Sequence, residues 1–504
     1  MSGEDRYSKG HIKKGLMHFM QGKVLSSIGG IVYLLLLVRE LQVAEFASYS
    51  VLTAFVELFT ALTGFGLTHI LLRYAPELHV QKLDLTLQKL LAATIGLRAL
   101  TLLASQGIAY AFGIAIAGFF ELSNWIWAYE LFLIVVFLRA TRNMIFQAME
   151  SLLQQKLAQR ALVIITYLKL IALAGLLLSS KIDLRLVIYL EIVSELIGLV
   201  LMVYWQAGWL SQVSKGVVEN GNWLSENLRR MAGYGAIGYV QHLAIMLYGS
   251  SPNRLVASRY LPVAEVASFG FAQSLIDMVR RYLPAQLLGG FVRPIFIAHY
   301  TQHGDFGALV KIANLILKAN FVILALISVP MLVSGPELFA VLTKGKYSNL
   351  AAVLFTGMLG VLALESQRYI LDLLLQTVER NAIQVLTNMM LSASILLSLW
   401  LIPEFGAVAV VIANALGLAV TNVIIVLYLR TRGLRYAVML MPLVKLVLAL
   451  TFSVFVGMML KTVLLPWQLT LVVLSVMLGA LMLARLLSRE ELKLLKNMRQ
   501  RKSL

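Results

Sequence analysis

Fourteen apolar runs follow one another along this 504-residue chain, joined by short connections. Each is close to the ~20 residues a helix needs to cross a bilayer. They cover residues 15–38, 44–66, 90–118, 124–148, 158–179, 185–206, 231–250, 264–290, 308–333, 350–375, 381–402, 405–429, 437–461 and 466–487. In hydrocarbon every backbone N–H and C=O must be satisfied inside the protein, so runs of this length and spacing predict transmembrane helices. Hydrophobic residues make up 60%, charged residues only 13%, and the mean hydropathy is +0.82, which excludes a soluble globular class. The first run has a basic start, lacks a small-residue cleavage site and leads directly into Arg39 and Glu40, so it reads as a retained helix rather than a signal peptide.

A repeat organises these runs. R-E-L-Q-V-A-E-F-A-S-Y begins at Arg39 and R-Y-L-P-V-A-E-V-A-S-F at Arg259, an offset of 220 residues with seven of eleven positions identical. Scarce charged residues keep the same offset: Glu57 falls on Asp277, Arg73 on Arg293 and Arg98 on Lys318. At an offset of 229, Arg139, Gln147 and Glu150 fall on Arg368, Gln376 and Glu379. An even number of helices per copy makes the repeat parallel, with both copies beginning from the same side of the membrane. The resulting organisation is an N-lobe over 1–206, a cytoplasmic amphipathic linker over 207–230, a C-lobe over 231–430, two additional helices over 431–487 and a basic tail over 488–504.

The net charge of +18 is distributed as the positive-inside rule requires. With the N-terminus inside, about 29 of the 43 Lys and Arg lie on inner segments and eight on outer connections, so both termini are expected in the cytoplasm and no nucleic-acid partner is implied. Cysteine is absent, which leaves no thiolate for catalysis or metal binding. His299 and His303 have metal-compatible spacing but no third ligand, so no metal and no cofactor is expected.

The stretch around Val43-Ala44-Glu45, then G-F-G-L-T-H-I-L-L-R-Y-A-P-E from Gly64 to Glu77, and E-L-F-A-V-L-T-K-G-K-Y from Glu337 to Tyr347, resembles the polysaccharide-transporter branch of the multidrug/oligosaccharidyl-lipid/polysaccharide exporter superfamily. Where such relatives show Asp-Arg late in span seven, this chain has Asn253-Arg254-Leu255-Val256. The resemblance implies an all-α integral membrane fold, with two six-helix lobes in a V shape around a central cavity and two extra C-terminal helices. It also implies alternating access, with an undecaprenyl-pyrophosphate-linked oligosaccharide moved outward across the bacterial inner membrane for O-antigen or exopolysaccharide synthesis. The protein would be a transporter and no enzyme, a monomer surrounded by membrane lipids and served by polysaccharide polymerase and assembly machinery. Alternatives are a lipid II flippase or multidrug exporter of the same superfamily, and a membrane polymerase or glycosyltransferase. Span one carries no carboxylate for cation coupling, only Lys23 and His18, which disfavours the drug exporter; the short outer connections disfavour the enzyme.

Charges at mid-bilayer cost about 2.5–3.5 kcal/mol on insertion scales, so each is a site candidate. Glu57 with Arg98, and Asp277 with Lys318, share similar depths and suggest one internal salt bridge per lobe. Arg139 and Arg368 are the leading ligands for a pyrophosphate, followed by Lys23, Lys169 and Arg254. Glu191 and Glu195, one turn apart, suit proton coupling or pairing with Lys169. Gln147, Gln241, His242, Gln376, Asn388 and Asn414 are candidate sugar contacts or interhelical hydrogen bonds.

Overall fold

A computed structural model describes residues 9–179, 182–213, 222–246, 248–287, 296, 300, 305–347, 349–378 and 380–484. Among these residues the fold is all-helical, and twelve helices are long and apolar enough to cross a membrane. They correspond to twelve of the fourteen expected spans. The other two, 231–250 and 264–290, fall on shorter or more polar helices, and the first of these bears on the site below. His299, His303, Glu379 and the tail over 488–504 lie outside the described residues. Two compact units divide at Ala267/Ser268.

The first unit contains α1 (Lys9–Glu40), α2 (Val43–Leu62), α3 (Leu67–Val80), α4 (Asp84–Ala111), α5 (Gly113–Phe119), a 3-10 turn (Ser123–Trp125), α6 (Ile126–Ser151), α7 (Gln155–Ser179), α8 (Leu184–Val213), α9 (Trp223–Met246) and α10 (Ser250–Tyr260). The Val-Ala-Glu motif has a direct structural use. Glu45 accepts the Gln42 N–H at 2.9 Å, closing the first turn of α2, and its other oxygen accepts the Leu184 N–H at 3.2 Å at the start of α8. One carboxylate thus satisfies orphan donors at two helix N-termini, where the helix dipole also favours negative charge. The expected second span, 44–66, ends in a sharp turn that leads into a separate helix, α3. After Leu62 the chain turns through Phe65 (φ 44°) and Gly66 (φ 74°) before α3 begins. Gly66 suits this left-handed turn, and a Cβ there would lie 2.1 Å from the Gly235 carbonyl oxygen, so α9 packs directly on the break. Tyr74, Leu78, Leu87, Leu90, Met144 and Ala148 form the core that joins α3, α4 and α6.

The second unit opens within α11 (Val263–Tyr282) and continues with α12 (Phe306–Leu342), α13 (Asn349–Thr377), α14 (Asn381–Ser392), α15 (Ser394–Phe405), α16 (Val408–Thr431), α17 (Leu440–Leu460) and α18 (Pro466–Ala484). Asp305 caps α12, accepting the Ala308 N–H at 3.0 Å. The 37-residue α12 kinks at Ser334, just ahead of Pro336, whose ring removes a helix donor and crowds the preceding turn. Val329, Val333, Ala449, Val473 and Met477 pack α12 against the last two helices. Elsewhere large apolar side chains such as Leu100, Ile114, Leu178 and Leu483 are exposed, as expected for a surface whose solvent is lipid.

Candidate functional site

The break between α2 and α3 forms one wall of a cavity of about 420 Å³ within the first unit. Its lining includes Glu57 and Thr60 from α2, Gly66 from the turn, His69 from α3, Arg98 from α4, Arg139, Asn143 and Gln147 from α6, and Tyr239 and His242 from α9. Two guanidinium groups and two imidazoles thus meet a single carboxylate. The His69 and His242 rings meet edge to face, 6.4 Å apart. A cavity of this size, with apolar walls and few convergent polar groups, has the form of a ligand site.

Arg98 departs from the sequence expectation. Its Nη2 donates to the Thr60 carbonyl at 2.8 Å, and its Nη1 donates to the Thr63 carbonyl and, at 3.3 Å, to Thr63 Oγ1. Tyr239 OH donates to the neighbouring Leu62 carbonyl. The break leaves the last carbonyls of α2 without intrahelical partners. A cation and a phenol from two other helices fill that need, and the cation also suits the negative end of the helix dipole. The expected Glu57–Arg98 salt bridge is therefore replaced: Arg98 caps α2, while Glu57 accepts a hydrogen bond from Ser251 on α10.

Arg139 belongs to a second, deeper cluster. Its Nη2 meets Glu191 Oε2 at 2.5 Å and its Nε meets Glu195 Oε1 at 3.0 Å. Lys169 Nζ meets the same two oxygens, at 2.7 and 3.2 Å. Arg142 Nε takes Glu195 Oε2 at 2.5 Å. Glu191 Oε1 accepts from Tyr33 at 3.2 Å and from Tyr49 at 3.0 Å. Five helices converge here, holding three cations and two carboxylates. Both glutamates are only 2% exposed, whereas Arg139 is 17% exposed and alone of the five charges lines the cavity. Gly198 makes room for this arrangement: a Cβ there would lie 2.2 Å from Ile165 Cδ1 and 3.2 Å from Arg142 Cδ.

The sequence counterpart of Arg139 has a different setting. Arg368, buried in the second unit, donates through Nε to Asp372 at 3.0 Å and through Nη2 to Thr387 and Asn388, both at 2.7 Å. Glu365, on the same helical face, pairs instead with Arg280, at 2.9 and 3.1 Å. Arg280 also takes Asp277 at 2.9 Å, and Asp277 accepts from Gln273 at 3.2 Å. Lys318 is half-buried on α12. Arg254 is 5% exposed on α10, and half-buried Lys23 on α1 lies within electrostatic range of Glu150.

Tyr33, Tyr49, Arg280 and the cavity-lining His69, Asn143 and Tyr239 were not singled out from the sequence. Tyr33 and Tyr49 carry no charge to flag them, and Arg280 was hidden by its position near the end of an apolar run. Its i, i+3 spacing from Asp277 was the available signal. Among the described residues no group of three His, Cys, Asp or Glu is placed to hold a metal.

Residues 12–286 match a family model described as polysaccharide biosynthesis protein. No curated protein sequence matches the chain. Among solved structures, the chain is similar to the lipid II flippase MurJ in an inward closed conformation, with a TM-score of 0.66 at 14% identity, covering 93% of this chain and 98% of that one. It is also similar to an inward-facing multidrug resistance MATE family transporter of the MOP superfamily, with a TM-score of 0.60 at 12% identity over 83% and 98% of the two chains. A third is the MATE multidrug transporter DinF-BH in complex with R6G, with a TM-score of 0.55 at 12% identity over 86% and 98%. The fold is common to all three.

Proposed function

The chain belongs to the polysaccharide biosynthesis protein family, and from that premise we propose that it carries a lipid-linked oligosaccharide across the bacterial inner membrane. The cargo is an undecaprenyl-pyrophosphate-linked glycan, moved from the cytoplasmic to the outer leaflet by alternating access, and the chain does no bond chemistry on it. The observation that carries this reading is the cavity beside the turn after α2. There Arg139 and Arg98 give an anionic diphosphate a cationic wall, while His69, His242, Asn143, Gln147 and Tyr239 offer hydrogen bonds to phosphate or sugar oxygens. The same cations repel cationic drugs, which disfavours a multidrug exporter. Arg139 is the primary phosphate ligand. Arg98, already engaged in capping α2, contributes its charge more than its donors.

Deletion of the gene tests the reading. The lipid-linked glycan should accumulate on the cytoplasmic leaflet and be restored to the outer leaflet by the intact chain but not by an Arg139→Ala variant. Export of short, unpolymerised units in the deletion strain would assign the chain to polymerisation instead.

A further inference from the structure

Arg139 and Lys169 duplicate one another on the glutamate pair. Each touches Glu191 Oε2, and each touches Glu195 Oε1. If Arg139 is removed in thought, every carboxylate oxygen keeps a donor: Glu191 Oε1 has Tyr33 and Tyr49, Glu191 Oε2 and Glu195 Oε1 have Lys169, and Glu195 Oε2 has Arg142. The charge count agrees. With Arg139 the cluster holds three cations to two carboxylates; without it, two to two. Of the two cations whose contacts duplicate each other, only Arg139 lies at the cavity wall.

We propose that Arg139 exchanges between the glutamate pair and the diphosphate of the cargo, and that Lys169 is the positioning residue that keeps Glu191 and Glu195 ionised while Arg139 is engaged elsewhere. The proposal rests on the cargo reading above. It gives Glu191 and Glu195 a role other than proton carriers: the cluster stays neutral when Arg139 leaves, so cargo binding draws no proton onto either glutamate. Lys169 sits behind Arg139 as its replacement, not beside it as a second phosphate ligand.

Removing Lys169 should make binding depend on protons. In Lys169→Met, departure of Arg139 leaves Arg142 alone against two buried carboxylates. A buried carboxylate without a counter-charge neutralises itself by taking up a proton. Affinity then falls as pH rises, because linkage makes the slope of log Kd against pH equal to the number of protons taken up. The other ionisable groups facing the cluster or the cavity are Tyr33 and Tyr49 from α1 and α2, and Glu57, Arg98, His69, Tyr239 and His242. They are the same in both proteins and cancel in the comparison.

The test titrates the purified full-length chain in nanodiscs with farnesyl-diphospho-N-acetylglucosamine, a diphosphate diester whose own charge is constant, between about pH 6 and pH 8.5. Lys169→Met should show a Kd that rises about tenfold more per pH unit than that of the unaltered chain. Lys169→Arg should keep the unaltered slope, and the double variant K169M/E191Q, with charges matched again, should recover it. Binding by both proteins with parallel slopes overturns the exchange and leaves the cargo reading standing. Absence of binding by the unaltered chain overturns both. Should Lys169→Met fail to fold, a pH-indicator dye decides the matter on the unaltered chain alone. At about pH 8, above the ordinary histidine range, binding should take up no proton, and uptake of about one proton per ligand overturns the proposal.

Discussion

Replacing Arg98 by Met would isolate what it takes to end α2 at a buried turn. The substitution keeps the apolar stem and removes the donors that reach the Thr60 and Thr63 carbonyls. Arg98 is 4% exposed, so only water within the cavity could take its place at these carbonyls. A buried polar group left without a partner costs about 1–3 kcal/mol, so two carbonyls together cost about 2–6 kcal/mol. Relief of the guanidinium's own desolvation offsets part of that. The net loss should be about 2–4 kcal/mol in equilibrium unfolding by SDS in mixed micelles. Tyr239 caps the adjacent Leu62 carbonyl, so Arg98→Met and Tyr239→Phe should be coupled by about 1 kcal/mol in a double-mutant cycle. Arg98→Met and Glu57→Gln should be additive within about 0.5 kcal/mol. A coupling with Glu57 above about 1.5 kcal/mol, with none to Tyr239, would mean that Arg98 is held by the carboxylate and that the capping argument is wrong.

Other substitutions separate structural charges from working ones. Arg139→Ala should unfold within about 1 kcal/mol of the unaltered chain, because Lys169 retains its contacts, yet lower transport of a lipid-linked saccharide at least about tenfold in proteoliposomes through loss of a charge-assisted bond. Arg368→Ala should do the reverse at the level of folding, losing about 3–5 kcal/mol in the same unfolding assay as Asp372 is stranded without its cation. Gly66→Ala combines a left-handed backbone with a Cβ 2.1 Å from the Gly235 oxygen, so it should cost at least about 2 kcal/mol and lower the yield of folded protein on size exclusion. Gly198→Ala should cost about 1–3 kcal/mol through overpacking against Ile165, and Ile165→Ala in the same chain should recover part of it.

The helical membrane architecture was open to reading because hydrocarbon imposes a strict length and polarity on whatever crosses it. The two expected spans that fall short of that standard are the more polar ones, and one of them brings Tyr239 and His242 to the cavity. Depth alone suggested that Glu57 and Arg98 would meet, and both do line the same cavity. The end of span two near Gly64-Phe65-Gly66 was legible, but that its carbonyls would recruit Arg98 from α4 was not, because periodicity does not show which neighbouring helix faces a helix end. The repeat treated Arg139 and Arg368 as equals. Their neighbours separate them: Thr387 and Asn388 take Nη2 of Arg368 from about twenty residues on, whereas the partners of Arg139 come from α8, some fifty residues on in sequence. Sequence offset conserves a residue's place along its helix, but not what the neighbouring helices present to it.

The turn after α2 also bears on how the chain is assembled in the membrane. Arg98 reaches the end of α2 across 35 residues of sequence, and Tyr239 does so across 177. During synthesis, α2 therefore emerges with carbonyls at its C-terminal end that α2 and α3 alone do not cap. The first partner arrives with α4, and the last only when α9 is in place, after six membrane-crossing helices have been made. Until α9 packs over Gly66 the Leu62 carbonyl lacks its Tyr239 partner, so the turn is completed only by a helix made long after the one it ends.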